Sequence, residues 1–272
     1  MSVPRDVTPR ARSADHVQSL ERGLAVIRAF DAEHRELGLS DVARITGLSR
    51  AAARRFLLTL VSLGYVHHSG DRFSLRPRVL ELGYAYLSGL SLPEVAQPHM
   101  EALVAALNES SSVSVLDDTE IVYVARVPTR RIMSITLTVG ARLPAFATSM
   151  GRVLLAALPD AELDVRLERI DFRPRTAYTV ADAATLRELL ARVREDRFAA
   201  VDQELEEGLR SLAVPIRDPS GATTAALNVS VHATRGTMAG LRRDVLPLAR
   251  RAAEAIEDDL GSGTTRVQRP VA

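Results

Sequence analysis

The run Leu39-Ser40-Asp41-Val42-Ala43-Arg44-Ile45-Thr46-Gly47-Leu48-Ser49-Arg50-Ala51-Ala52-Ala53-Arg54-Arg55 has the pattern of two short helices joined by a tight turn. Ser40 is placed to cap the first helix, with Val42, Ala43 and Ile45 facing inward and Thr46-Gly47 ending it. Ser49 is placed to cap the second, which runs to Leu63 and is stopped by Gly64. Its inward stripe is Ala53, Phe56, Leu57, Leu60 and Leu63. That leaves Arg50, Ala51, Ala52, Arg54 and Arg55 exposed near its start. Small alanines let a helix backbone approach a major groove, and arginine reaches guanine edges or phosphate. The competing reading is a helical hairpin with solvated arginines.

Upstream, Leu20, Leu24, Val26, Ile27 and Phe30 follow helical spacing, with Ser19 as the cap and the polar run Asp31 to Glu36 as the end. Downstream, Tyr65–His68 and Arg72–Leu75 flank Ser69-Gly70-Asp71, which predicts a two-stranded wing carrying Arg72. Charge follows the same division. Residues 1–90 hold 13 Arg and 9 acids, whereas 91–272 hold 22 Arg and 25 acids. The segment 42–70 contains Arg44, Arg50, Arg54 and Arg55 and no acid, so a nearly neutral chain carries a local basic patch.

The 272 residues suffice for two domains, and a 46 % hydrophobic content rules out global disorder. With no cysteine, disulfides, thiolate metal sites and cysteine nucleophiles are excluded. All 35 basic residues are arginine. The start of the chain, Met1 to Ser13, is polar and has no signal-like apolar core, and no apolar run approaches the ~18 residues of a membrane span. The expectation is a cytoplasmic protein with no membrane partner. The histidines have no zinc-ligand spacing, and G-x-S-x-G, P-loop and G-x-G-x-x-G motifs are missing, so neither an enzyme nor a metal or cofactor is expected. The acidic run Glu204 to Glu207 reads as a solvated turn.

Beyond the wing, a helix over Val79 to Ser88 carries Leu80, Leu82, Tyr84, Tyr86 and Leu87 and is expected to pair with its copy. An amphipathic helix runs from Pro93 to near Asn108. Strands are predicted at Val113–Leu116, Ile121–Arg126, Ile132–Val139, Phe198–Val201, Leu212–Ile216 and Thr224–Val231, and helices at Ser149–Leu158, Ala161–Ile170 and Leu186–Val193. A terminal helix, Met238 to Leu260, is interrupted at Pro247. The class is α+β: a flexible arm (1–15), a winged helix-turn-helix (16–77), a linker helix (78–90), a second α/β domain (91–260) and a disordered tail (261–272).

Six stretches together resemble the IclR family of transcriptional regulators, over about residues 16–260. They are Val17–Leu24, Gly47–Leu60, Gly64-Tyr65-Val66, Val139-Gly140-Ala141-Arg142-Leu143-Pro144, Ser149–Ala156 and Asp202–Ile216. The resemblance implies a GAF-like effector-binding second domain and assembly as homodimers or homotetramers on a near-palindromic double-stranded DNA operator. With the exposed start of the third helix and the wing, DNA contacts are expected at Ser49, Arg50, Ala51, Ala52, Arg54, Arg55 and Arg72. It places the effector pocket at Ile132, Ile135, Leu143, Ser149, Met150, Asp202, Ser211, Asn228 and Ser230. Two departures stand out: many members carry Cys where Ser211 stands, and Ala51-Ala52 replace the commoner Ser-Thr. The stretch Val122–Pro128 with Arg130-Arg131, plus the head Leu48–Leu60, is most similar to the branch governing protocatechuate, 4-hydroxybenzoate and β-ketoadipate catabolism.

The pocket set suits a small carboxylate effector. A helix start at Ser149 favours an anion, the serines and Asn228 supply hydrogen bonds, and Ile132, Ile135, Leu143 and Met150 supply apolar wall. Arg126 and Arg142 are candidate carboxylate partners, and an exposed strand arginine is the equal alternative for Arg126. The rival functions are a regulator of another carboxylate pathway, a small-molecule enzyme with an accessory helical module, and a winged protein-interaction module.

Overall fold

In the computed structural model the described residues are 16–31, 33–82, 92–129 and 137–263. The arm 1–15, most of the linker helix and of the tail, and Ile132 and Ile135 lie outside them. The chain forms two compact units, Met1–Gly89 and Leu90–Ala272.

The first unit packs α1 (Gln18–Arg28), α2 (Leu39–Thr46) and α3 (Arg50–Ser62) around Val26, Val42, Ala53, Leu57 and Leu60. Ser49 caps α3, its Oγ accepting from the Ala52 N–H at 3.2 Å. Leu63 and Gly64 close it: Gly64 takes φ +81°, and the Tyr65 N–H reaches back to the Leu60 carbonyl. Gly47 makes the inter-helix turn at φ +66°.

Several local expectations fail here. α1 begins after Val17, without a side-chain cap from Ser19. α2 begins after Gly38, whose N–H donates to the Asp41 carboxylate at 3.2 Å, so Ser40 is no cap. Leu20 is 62 % and Leu24 46 % exposed, and Ile45 and Leu63 also face out. The reason is geometric. An eleven-residue helix buries one face, and at about 100° per residue Leu20 and Leu24 lie about 120° and 160° round from the buried Val26. The wing also has a third strand. β1 (Glu36–Gly38) pairs with β3 (Arg72–Leu75), which pairs with β2 (Val66–Ser69). Glu36-Leu37-Gly38 is too short to show strand alternation by itself. The downstream helix begins as a 3-10 turn at Pro77–Leu80.

The second unit is one antiparallel sheet in the order β6-β5-β4-β9-β8-β7. Its strands are β4 (Ser110–Asp117), β5 (Glu120–Val127), β6 (Arg142–Pro144), β7 (Ala199–Asp202), β8 (Leu209–Arg217) and β9 (Thr223–His232). On one face lie α4 (Leu92–Leu107) and the terminal helix α8 (Leu246–Gly263), burying Met100, Leu103, Ala249 and Ile256 against Val113, Leu212, Leu227 and Val229. A π-turn at Leu241–Val245 precedes α8. It accommodates Pro247, which has no N–H to give to the preceding turn. The other face carries α5 (Ser149–Ala156), α6 (Asp160–Leu167) and α7 (Ala183–Asp196), packed on Ile121, Tyr123, Ala213 and Ala226. Every residue of α5 is buried.

Candidate functional site

On the first unit, Arg50, Arg54, Arg55 and Arg72 are exposed, and none of their guanidinium groups has a salt bridge or hydrogen bond to a described residue. Ser49 and Ala51 are exposed and Ala52 half-buried on the same helix start. α3 has no acid in its first turn. Arginines at the positive end of a helix repel its dipole slightly, so this face is most favourable with a polyanion against it. The wing is stiffened by His68, stacked on Phe73 with ring centres 4.3 Å apart. Arg44 alone of the local arginines leans toward an acid, Asp41, at 3.8 Å.

On the second unit, a narrow cleft of about 20 Å³ lies between the start of α5 and the sheet. β5 contributes Tyr123 and Arg126, β9 contributes Asn228 and Ser230, and β8 contributes Leu209 and Ser211. Thr148, Ser149 and Met150 close it from α5, and Leu137, Val201, Leu205 and Glu206 complete the wall. Of the sheet residues on this face, Ser211, Asn228 and Ser230 line the cleft, and Ala213 and Ala226 are fully buried in the core against α5.

The start of α5 is held rigidly. Thr148 Oγ1 accepts from the Gly151 N–H at 3.1 Å. Gly151 lies against the turn Ala145–Ala147, where a β-carbon would stand 2.2 Å from the Ala145 carbonyl oxygen. Arg152, 3 % exposed, donates to the Phe146 carbonyl at 2.9 Å and pairs with Glu204. Glu204 also accepts from the Val180 N–H at 3.2 Å. The expected solvated turn at Glu204–Glu207 is therefore corrected. Glu204 is a buried anchor that ties the loop roofing the cleft to α5, because a buried arginine requires a carboxylate. Glu206 lines the cleft, and Glu207 is exposed.

The predicted effector residues divide. Ser149, Met150, Ser211, Asn228, Ser230 and Arg126 line the cleft. Leu143 sits half-buried in β6 against the α5-side core. Asp202 lies at the end of β7 and bonds Arg210 at 2.7 Å, which holds its carboxyl below the usual range. Arg142 is clamped by Asp117 and Glu120, each at 2.7 Å, so it is not available to a ligand. Arg126 is different. It is half-buried, and its side chain has no salt bridge or hydrogen bond to a described residue.

Sequence reasoning missed Tyr123, and the cause is a bulge. Tyr123 and Arg126 are three residues apart, a spacing that a regular strand sends to opposite faces. In β5 the register skips Val124: Ala125 faces Val113, but Tyr123 faces Ser114 and Arg126 faces Ser112. The extra residue brings both side chains into the cleft. Burial pushes the Tyr123 hydroxyl up to about 12, against the pull of Arg126. Among the described residues there is no cluster of metal-ligating side chains and no helix long and apolar enough to cross a membrane.

Two family models match the chain. The model of the bacterial transcriptional regulator IclR C-terminal domain matches residues 84–258, and that of the IclR helix-turn-helix domain matches residues 19–70. The chain is 46 % identical over 235 residues to the Pca regulon regulatory protein of Pseudomonas putida, covering 86 % of this chain and 81 % of that one. It is 38 % identical over 253 residues to the p-hydroxybenzoate hydroxylase transcriptional activator of Acinetobacter baylyi, covering 91 % and 93 %. A crystal structure of an IclR homolog from Microbacterium hydrocarbonoxydans, complexed with 4-hydroxybenzoate, matches with a TM-score of 0.79 at 28 % identity, covering 89 % and 98 %.

Proposed function

The chain belongs to the IclR family of bacterial transcriptional regulators, and on that premise we propose that it governs aromatic-acid catabolic genes through a carboxylate effector held in the α5 cleft. As a regulator it binds DNA through the helix-turn-helix and responds to a small molecule. The names of its relatives, and the 4-hydroxybenzoate complex of one of them, support an aromatic acid of the protocatechuate or 4-hydroxybenzoate kind. The observation that carries the reading is Arg126, a half-buried cation whose side chain has no ionic or hydrogen-bond partner among the described residues, in a cleft otherwise lined by neutral polar and apolar groups and one acid, Glu206. Holding such a charge without a partner is unfavourable, and a ligand carboxylate supplies the partner.

DNA contacts fall on Ser49, Arg50, Ala51, Ala52, Arg54 and Arg55 of the third helix, with Arg72 of the wing on backbone. Two or four copies place paired heads on a near-palindrome. Regulation is linkage. The effector and the operator each prefer one arrangement of the assembly, and their coupling, typically about 1–3 kcal/mol, shifts occupancy. The decisive experiment is calorimetry with protocatechuate, 4-hydroxybenzoate and β-ketoadipate, beside footprinting upstream of the protein's own gene with and without each acid. At least one acid binds and changes the footprint, and Ser211→Leu, which fills the cleft, abolishes the response. A full response in Ser211→Leu places the pocket elsewhere. Binding by none of the three at millimolar concentration removes the aromatic-acid assignment.

A further inference from the structure

At the opposite end of α5 from the effector cleft, a groove of about 440 Å³ opens beside the last turn of the helix. Its apolar wall is made by Val153 and Ala156 of α5, Val193 of α7 and Pro215 of β8. That volume falls in the range of small-molecule sites. Arg197 and Arg217 line the groove, Thr223 adds a hydroxyl, and among the described residues no acid lines it.

The arginines here are not alike. Arg194 also lines the groove, but its guanidinium is engaged. Nε and Nη2 donate to the Ala156 and Leu158 carbonyls at 2.7 and 2.9 Å, and Nη1 pairs with Asp160 at 2.7 Å, so Arg194 closes the C-terminus of α5. Neither Arg197 nor Arg217 has a side-chain salt bridge or hydrogen bond to a described residue. Arg217 is half-buried, so its charge gives up part of its water without a partner. Its backbone N–H is held separately, by Glu257 at 2.7 Å. Four acids, Glu195, Asp196, Glu254 and Glu257, surround a second hollow on the α8 side of Pro215, and none of them forms an ion pair with Arg197 or Arg217.

Arg197 carries a second, independent mark. It ends α7 in the left-handed conformation, at φ +58° and ψ 33°. A helix end of this shape suits glycine, which has no β-carbon to crowd the backbone, and an arginine there is strained. A strained residue and an unpaired cation therefore coincide at one groove, the combination expected where a side chain is kept for a ligand.

We propose that this groove is a second anion site, taking a small organic acid with two carboxylates on an apolar body. Each guanidinium accepts one carboxylate through charge-assisted hydrogen bonds, the hydrocarbon lies on the apolar wall, and the Thr223 hydroxyl donates a further bond. A cation or a neutral sugar leaves both charges unmatched. The site is separate from the cleft at the start of α5 and does not rest on the aromatic-acid reading.

Calorimetry on the full chain with glutarate and pimelate tests this, with hexanoate as the single-carboxylate control. At least one diacid binds, at least tenfold tighter than hexanoate. Arg126→Ala, which removes the cation of the other cleft, changes that affinity less than threefold. Arg197→Gly and Arg217→Ala each weaken it at least tenfold. Arg197→Gly also melts at or above the temperature of the unmodified protein, because glycine relieves the left-handed backbone, so its lost binding is not lost folding. Absence of diacid binding at millimolar concentration overturns the inference, as does hexanoate binding within tenfold of the better diacid. Loss of diacid binding in Arg126→Ala assigns it to the other cleft and overturns the inference too. So does affinity kept within tenfold in either arginine variant of the groove, or a lowered melting temperature in Arg197→Gly, which would make that side chain a structural one.

Discussion

Gly151 has no room for a side chain: a β-carbon there would stand 2.2 Å from the Ala145 carbonyl oxygen, which belongs to backbone and cannot yield cheaply. Gly151→Ala is expected to destabilise the second unit by about 3 kcal/mol, at the upper end for overpacking, and to weaken effector binding by displacing the start of α5. Chemical denaturation alongside calorimetry checks both, and an unchanged midpoint would show that the glycine's surroundings are soft. Tyr123 gives a pH prediction. An unfolded tyrosine titrates near 10, and burial raises Tyr123 to about 12. Between those values only the unfolded chain is ionised at this position, so stability is full below pH 10 and is lost as pH rises toward 12. The difference amounts to about 3 kcal/mol. With no lysine in the chain, no ammonium group titrates alongside it except at the N-terminus. Tyr123→Phe should flatten the alkaline loss; a denaturation series from pH 9 to 11.5 that keeps its slope in this variant would assign the loss elsewhere.

At the scale of elements, α3 combines a good cap with a poor charge distribution for an isolated helix. Ser49 satisfies an N–H of the first turn, and Ser49→Ala is expected to cost about 1 kcal/mol in the head. The arginines behind it destabilise nothing that DNA does not restore. Arg50→Ala should weaken all sequences alike and lower the magnitude of the salt slope by about 0.9 for each phosphate that its guanidinium neutralises. Arg55→Ala should weaken the operator by about 1–3 kcal/mol and leave nonspecific DNA nearly unaffected. Titrations at several salt concentrations separate the two, and unchanged operator affinity in a folded double variant would remove α3 as the reading helix.

At the scale of the whole molecule, the proposed near-palindromic operator would call for more than one copy, since a single head spans one half-site. Apolar surface consistent with self-association is present: Leu20 and Leu24 of α1 are exposed, as is Val17 just before it, and Leu80 and Leu82 are 73 % and 52 % exposed at the start of the linker. Sedimentation at micromolar concentration is therefore expected to give a dimer or a tetramer. Monomer alone, with and without operator DNA, would mean that these side chains cover something other than a second copy.

What the sequence determined by itself was whatever depends on near neighbours along the chain. The α2–turn–α3 unit was legible because its turn glycine, its Ser49 cap and its Ala53–Leu57–Leu60 stripe act within a few residues of one another. The interruption before Pro247 was legible for the same reason. Ser149, Asn228 and Ser230 were reached through family resemblance, and the local pattern alone left them as strand or cap residues. Tertiary structure decided the rest. Which face of α1 is buried depends on how much of it α2 and α3 can cover, and the burial of Glu204 depends on Arg152, 52 residues away. The position of Tyr123 beside Arg126 depends on a bulge that β4 imposes on β5. Side-chain alternation records which face a residue takes in a regular strand; it carries no information about where pairing adds one residue, or about which distant partner compensates a buried charge.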